Sequence, residues 1–186
     1  MLVHAVRGVL KAGIAAQICV AIPEGDAALA TICEQLAVEA ASAGVLFTVV
    51  DGGAERSASV TAALEVIADG VTNVMIHDAA RPLTPSGVFN RVAAALRDGA
   101  TAVIPALAVT DTIKTVVPAS LPATGAGLEK VVDTPARHQL RAVQTPQGFR
   151  LDTFRLADRL RLRAQAGRGK PHPRRRHHHR PDAVAR

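Results

Sequence analysis

Apolar residues at Leu2, Val3, Val6, Val9 and Leu10 recur at helical spacing, and Lys11 followed by Gly13 supplies a C-terminal stop. A helix is therefore predicted from the first residues onward, an abrupt beginning for a domain. The continuous apolar run Ile18-Cys19-Val20-Ala21-Ile22, closed by Pro23, reads as a buried strand. Asp26 then caps a helix that Leu29, Ile32, Leu36 and Val38 carry to about Ala43. Val45 to Val50 is the next strand, ended by Asp51-Gly52-Gly53, and a helix from about Ser57 uses Leu64 and Ile67 on its inner face. After the turn Asp69-Gly70 comes the short strand Asn73-Val74-Met75-Ile76. It is followed by a helix from Pro85 to Arg97 with Thr84 as its cap, and by a further strand at Ala102-Val103-Ile104-Pro105. Strands alternating with helices of about three turns predict a doubly wound α/β fold, with a mostly parallel sheet covered on both faces.

After Ala106 the period changes. Thr110 to Val117 and Val131-Val132-Asp133, separated by a Pro- and Gly-containing break, read as antiparallel strands forming an arm. An arm with little core of its own packs on something, and a second subunit is the simplest candidate. A last helix starts near Leu151, places Phe154, Ala157 and Leu160 on one face, and loses its pattern by about Ala166. Beyond it, Gly167-Arg168-Gly169-Lys170 and the Arg-, His- and Pro-rich residues that follow keep no apolar periodicity, which predicts disorder for 167–186. His177, His178 and His179 could hold a transition metal weakly, but a flexible stretch supplies no fixed geometry for one.

Charge sharpens this division. The net charge of +6 is not spread along the chain: residues 1–150 hold 11 Lys and Arg against 13 Asp and Glu, and residues 151–186 hold 11 against 3. The body is mildly acidic and the basicity belongs to the tail. Tyr and Trp are absent and Phe occurs four times, so the aromatic platforms of single-stranded nucleic-acid binders are nearly missing. Nucleic acid is thus disfavoured as a partner, although the tail keeps electrostatic binding open as a third reading. Cys19 and Cys33 lie in apolar patterns without CxxC spacing, as core thiols of a reducing compartment do. No signal peptide or membrane-spanning run is read, so a cytoplasmic location is expected.

The chemistry centres on Ile76-His77-Asp78-Ala79-Ala80-Arg81-Pro82, an acid, two small residues and an arginine directly after a strand. Pro82 keeps Arg81 out of the helical region and ends any strand, so this is a loop above the carboxyl edge of the sheet, where α/β folds bind ligands. An ordinary connection is the plain alternative. Asp51-Gly52-Gly53-Ala54-Glu55-Arg56-Ser57-Ala58-Ser59-Val60 places two glycines at another strand end just before a helix. Amides there could meet a base or a phosphate, or the glycines could simply make a turn. Asp111-Thr112-Ile113-Lys114 and the segment from Arg137 to Gln144-Thr145-Pro146-Gln147-Gly148-Phe149 complete the set.

In this order and spacing the pieces resemble the 2-C-methyl-D-erythritol 4-phosphate cytidylyltransferases of the non-mevalonate isoprenoid pathway, over about residues 2–165. The resemblance implies a Rossmann-like nucleotidyltransferase fold, with a partial domain over 1–166 and a β-arm at about 107–145 that interlocks across a homodimer. It implies an enzyme that transfers CMP from CTP to methylerythritol phosphate with Mg²⁺ and releases pyrophosphate. Carried over by position, Gly52, Gly53 and Ser59 would lie at the cytosine and ribose, with Arg56 fixing that loop. Asp78 would hold the metal or a ribose hydroxyl, and Ala79 and Ala80 would admit the nucleotide. Arg81, Thr112, Arg137 and Thr145 would address the methylerythritol phosphate, Arg137 and Thr145 from the arm region near the partner's site. Arg137 and Asp78 would be the catalytic pair. His77 reads as a packing residue.

The same resemblance implies a strand and a Gly-rich loop bearing an arginine and a lysine ahead of the first helix, and a further strand and lysine after the last. Neither is read here, so the sheet is expected to be incomplete at both ends. The polypeptide as written is expected to release no pyrophosphate, since one preorganised donor alone is worth about 3 kcal/mol in a transition state. A tail of Arg, Pro and His suggests a change of reading frame near Gly167. The alternative is a noncatalytic remnant or assembly subunit that pairs with a full-length homologue.

Overall fold

The computed structural model describes residues 1–119 and 128–168, with side chains through residue 164 in the last helix. Helix α1 (Leu2–Ala12) stops at Gly13, whose φ of 65° is left-handed and whose N–H returns to the Leu10 carbonyl. A side chain would be strained there, which is why glycine ends the helix. Strand β1 (Gln17–Ile22) buries Ile18, Val20 and Ile22 on one face. They meet Val6 of α1 and Cys33 and Leu36 of α2 (Ala27–Ser42) in the main core cluster. The Asp26 carboxylate accepts the Leu29 N–H at 2.9 Å and starts α2 as the sequence predicts; such a cap contributes about 1 kcal/mol.

Strand β2 (Leu46–Asp51) runs parallel to β1, and the register Ile22↔Asp51 sets their carboxyl ends side by side. Helix α3 (Arg56–Glu65) packs against both strands but adds nothing to the α1/α2 cluster, so it covers the opposite face. Below the site, the Gln17 amide ties β1 to β2 through Thr48 Oγ1 and to the 66–68 loop through the Val66 carbonyl and the Ala68 N–H.

Strand β3 (Asn73–Ile76) leads through the 77–85 loop into α4 (Ser86–Arg97) and then β4 (Ala102–Val103). Thr84 does not cap α4: its hydroxyl turns back to the Arg81 carbonyl at 3.1 Å, and the helix begins one residue later than expected. The arm follows as two ribbons. β5 (Ala106–Ala108) pairs antiparallel with β8 (Arg141–Val143), and β6 (Thr115–Pro118) with β7 (Glu129–Asp133). Every residue of these four strands is exposed.

The chain then re-enters the body as β9 (Gln147–Arg150), which lies between β3 and β4 and is antiparallel to both. The α/β class stands, but in place of one mostly parallel sheet the body has a parallel pair, β1 and β2, and a separate antiparallel sheet of β3, β9 and β4. The chain comes back from the arm with its direction reversed, and only antiparallel pairing can seat it. Among the described residues β1 and β3 each keep one edge without a ladder partner. Gly148 marks where β9 meets α4, since a Cβ would fall 2.4 Å from Val92 Cγ1 and 2.9 Å from Leu96 Cδ1.

Helix α5 (Leu151–Arg168) docks on α3 through Asp158, whose carboxylate lies 3.0 Å from Thr61 Oγ1 and accepts from Arg161 at 2.8 Å. The tail assigned to 167–186 lies, from residue 169 on, outside the described residues.

Candidate active site

Three strand ends build the site. The Gly52 N–H donates to the Ile22 carbonyl at 2.7 Å, which carries the β1–β2 ladder one step past Asp51. The next amide, Gly53 N–H, donates to Ser59 Oγ at 3.1 Å, so the first turn of α3 holds the glycine loop from its far side. A Cβ on Gly53 would stand 2.3 Å from the Ala58 Cβ, and one on Gly52 would stand 3.2 Å from the Ile22 carbonyl oxygen. Glycine is therefore required for the loop to lie this close to α3. The loop borders an open cleft of about 450 Å³ lined by Ala21, Ile22, Pro23, Glu24, Gly52, Gly53, Ala54 and Ser59.

Arg56, at the start of α3, reaches across to the third strand. Its Nε and Nη2 both donate to Asp78 Oδ1, at 3.0 and 2.9 Å. Both partners are partly exposed, so the pair is a latch between two loops rather than a large contribution to stability. The Arg81 N–H donates to the Asp78 carbonyl at 2.9 Å and closes a turn with the exposed Ala79 and Ala80 at its tip. The Arg81 guanidinium donates to the Gln144 side-chain carbonyl.

Thr145 is buried at 4% exposure. Its hydroxyl accepts the Asp78 N–H at 3.2 Å and lies 2.9 Å from His77 Nδ1. The His77 ring stands edge-on to Phe89, and its buried Nε2 has no hydrogen-bond partner among the described residues. Burial pushes the His77 imidazole below its ordinary pKa, against the opposing pull of the Arg81 backbone and the Asp78 charge. Burial thus favours the neutral ring.

Of the residues singled out in the sequence, Gly52, Gly53, Ser59, Arg56, Asp78, Thr145 and the Ala79–Ala80–Arg81 turn form one connected group. Thr112 and Arg137 stand apart on the arm. Thr112 is exposed, and Arg137 donates to the Thr110 carbonyl at 2.9 Å within the arm itself. The sequence reading gave no role to Gln144 or Gln17. Gln144 sits inside the quoted QTPQGF motif and could have been noticed, whereas nothing local marks Gln17, whose partners are 31 and 49 residues away.

The family model for IspD, 2-C-methyl-D-erythritol 4-phosphate cytidylyltransferase, matches residues 1–168. The chain belongs to this family. It is 44% identical over 155 residues to the 2-C-methyl-D-erythritol 4-phosphate cytidylyltransferase of Streptomyces avermitilis, covering 83% of this chain and 60% of that relative. To the Rhodococcus opacus protein of the same name it is 45% identical over 157 residues, covering 84% and 61%. The chain thus spans about 60% of the length of these relatives.

Among solved structures it is similar to the 2-C-methyl-D-erythritol 4-phosphate cytidylyltransferase of Thermus thermophilus, with 31% identity, a TM-score of 0.60, and coverage of 87% of this chain and 66% of that one. It is also similar to the 4-diphosphocytidyl-2C-methyl-D-erythritol synthase of Anaerococcus prevotii, with a TM-score of 0.72 at 23% identity, covering 87% and 64%. The second likeness carries the fold alone. Together they give the chain the nucleotidyltransferase α/β fold of the IspD cytidylyltransferases. No helix among the described residues is long and apolar enough to cross a membrane.

Proposed function

We propose that this member of the family carries the nucleotide half of a site that transfers CMP from CTP to 2-C-methyl-D-erythritol 4-phosphate. The observation behind this reading is the run of contacts from Ile22 through Gly52, Gly53, Ser59 and Arg56 to Asp78, at the carboxyl ends of three strands and beside the open cleft. Gly52 and Gly53 let a base and ribose approach the backbone, and Ser59 and Arg56 hold their loop in place. Asp78 faces the ribose or the metal, across a turn that Ala79 and Ala80 keep narrow.

In the proposed step an oxygen of the acceptor phosphate attacks the α-phosphorus of CTP. The bond from that phosphorus to the bridging oxygen breaks, and pyrophosphate leaves with the electron pair. The attacking oxygen is already anionic, so no proton must be removed, and the protein's work is to position the reactants and offset charge. Arg81, Thr112, Arg137 and Thr145 belong to the acceptor side of the reading, with Arg137 and Asp78 as its catalytic groups.

Asp78 gives Oδ1 to Arg56 and has Oδ2 open, and no cluster of three or more metal-ligating side chains stands among the described residues. One carboxylate fits a Mg²⁺ that arrives with nucleotide phosphates and its own waters, and does not fit a cage made by protein alone. Such an ion would neutralise phosphate charge when bound. The cleft lining contains Glu24 and no Lys or Arg. That lining by itself neutralises a triphosphate poorly, and turnover by this chain is expected to be slow. Exposed Val116, Val117, Val131 and Val132 on the arm support a homodimer formed through it.

Saturation-transfer NMR with millimolar CTP tests the reading. CTP is expected to bind, with cytosine and ribose protons closest to the protein, and Ser59→Ala combined with Gly53→Val is expected to abolish the effect. Absence of any CTP signal refutes the proposal. Pyrophosphate release at the rate of a full-length relative would refute the expected impairment.

A further inference from the structure

The ladder between β3 and β9 ends at Ile76↔Gln147. Continued by two residues, the same register sets Asp78 opposite Thr145, but Pro146 has no N–H and the backbone pairing cannot go on. At that point a side chain takes over: Thr145 Oγ1 accepts the Asp78 N–H at 3.2 Å. The hydroxyl is itself held by His77 Nδ1 at 2.9 Å, and His77 is braced edge-on by Phe89, which is 1% exposed.

Proton accounting assigns the direction of this relay. The Thr145 hydroxyl has one proton, and among the described residues its partners are the Asp78 N–H and His77 Nδ1. If Nδ1 carried a proton, the hydroxyl would accept twice, leaving its own proton and the Nε2 lone pair both without partners. If Nδ1 is the acceptor, the hydroxyl donates to it, and only the Nε2–H remains unpaired in the interior. Each unmatched buried group is costly, so the arrangement with one is preferred to that with two.

We propose that His77 and Thr145 are a buried positioning pair, His77 as the Nε2–H tautomer and Thr145 as the link, that fixes the backbone of Asp78 and so aims its carboxylate into the site. This rests on the functional reading only for what Asp78 then does. His77 touches neither substrate nor metal in this arrangement; it acts through Thr145. The pairing also makes Thr145 a residue that sets the site from within the sheet, with its hydroxyl already engaged.

The test uses the full chain, uniformly ¹⁵N-labelled. Long-range ¹H–¹⁵N correlation on the unmutated protein is expected to show the His77 Nε2–H tautomer; the Nδ1–H tautomer overturns the proposal. Thr145→Val keeps the shape and removes the hydroxyl, and is expected to move the Asp78 amide resonance upfield. It should also raise, about tenfold, the Mn²⁺ concentration that half-broadens residues 78–80 in the presence of CTP. Thr145→Ser is expected to restore the Asp78 shift and bring the Mn²⁺ midpoint within about twofold of the unmutated chain. If Thr145→Val leaves the Asp78 amide where it was, or Thr145→Ser fails to restore it in a folded protein, the pair does not set that backbone. His77→Phe, which keeps the packing on Phe89, should reproduce the Asp78 shift of Thr145→Val. The tautomer and the amide shift are read without nucleotide. A chain that binds no CTP would therefore refute the functional reading while these two measurements still decide the positioning pair.

Discussion

Gly148→Ala tests how tightly the site is tied to the core. In most strands this change would stabilise by about 0.5–1 kcal/mol, because glycine loses more backbone freedom on folding than alanine. Here the new methyl would lie 2.4 Å from Val92 Cγ1 and 2.9 Å from Leu96 Cδ1, both on a helix whose inner residues are 2% and 4% exposed. Neither side chain can swing into solvent, so either β9 or α4 must shift, and overpacking of this kind costs about 3 kcal/mol at the upper end of its usual range. Against a whole-domain stability of about 5–15 kcal/mol that is a large share.

Val92→Ala alone removes two methyls from a buried site and is expected to cost about 2 kcal/mol. The double variant tests the mechanism. If the clash is with Val92, the added methyl occupies space that the deletion vacates, and the pair together costs about 2 kcal/mol instead of the additive value of about 5. Urea unfolding followed by circular dichroism, with equal m-values as the check on two-state behaviour, measures all three. A neutral or stabilising Gly148→Ala, or a double variant at the additive value, would refute the reasoning. The consequence reaches the site, because the strand that carries Gly148 also places Gln147 opposite Ile76 and leads back to Thr145.

Other outcomes follow from other parts of the molecule. Asp158→Ala removes the carboxylate shared by Thr61 and Arg161 and should cost about 2 kcal/mol, with hydrogen exchange rising selectively over α5; uniform exchange would show that α5 docks by other means. Arg56→Gln should change stability by less than about 1 kcal/mol, since the pair with Asp78 is partly exposed, and a larger loss in urea unfolding would mean the latch is structural. Burial pushes the Cys19 and Cys33 thiols above their ordinary value of 9.0. A raised folded pKa gives stability that is present below the unfolded value and lost as pH rises through the folded one. The urea midpoint should therefore fall from about pH 8.5 upward, less so in Cys19→Ala, and the chain has no tyrosine to blur that window. Val131→Lys should convert a homodimer to monomer in sedimentation, burial of each such valine being worth about 1 kcal/mol; an unchanged mass would place the interface elsewhere.

Much of this was legible in the sequence, and the limits have physical causes. The first three strands and the helices between them follow from apolar runs bounded by Pro23, Asp26, Gly52 and Gly70, because each is local chemistry. The sequence does not mark β9 as a strand. Its residues Gln147, Gly148, Phe149 and Arg150 carry no strand pattern, and its place between β3 and β4 comes from long-range pairing and from the contact with α4. Thr84 looked like a helix cap, but the Arg81 carbonyl competes for its hydroxyl and wins. Asp78, Arg56 and Ser59 were named as site residues, yet the Arg56–Asp78 latch spans 22 residues and could not be derived from spacing. From the sequence His77 is a packing residue. Its packing on Phe89 is as expected, but its bond to Thr145, 68 residues away, appears only in three dimensions.

The proposed site divides along much the same line as the fold. Its nucleotide side is held within one body, where the ends of β1 and β2, the first turn of α3 and the 77–81 loop are joined by short hydrogen bonds. Its proposed acceptor side is split: Arg81 and the buried Thr145 belong to that same body. Thr112 and Arg137 sit on an arm whose strands are exposed throughout, and Nη1 of Arg137 donates to the arm's own Thr110 carbonyl. Contacts within the arm cannot bring those groups to Asp78, and the residues joining arm to body, Ala106–Ala108 with Arg141–Val143, form only a narrow two-stranded ribbon. If the proposed roles hold, a nucleotide side held within the body and an acceptor side partly on the arm make nucleotide binding the property least dependent on assembly. Recognition of the acceptor phosphate would require the exposed arm to dock against a second surface. Loss of the dimer should then remove acceptor binding while CTP binding persists, a separation that a single preformed pocket would not permit.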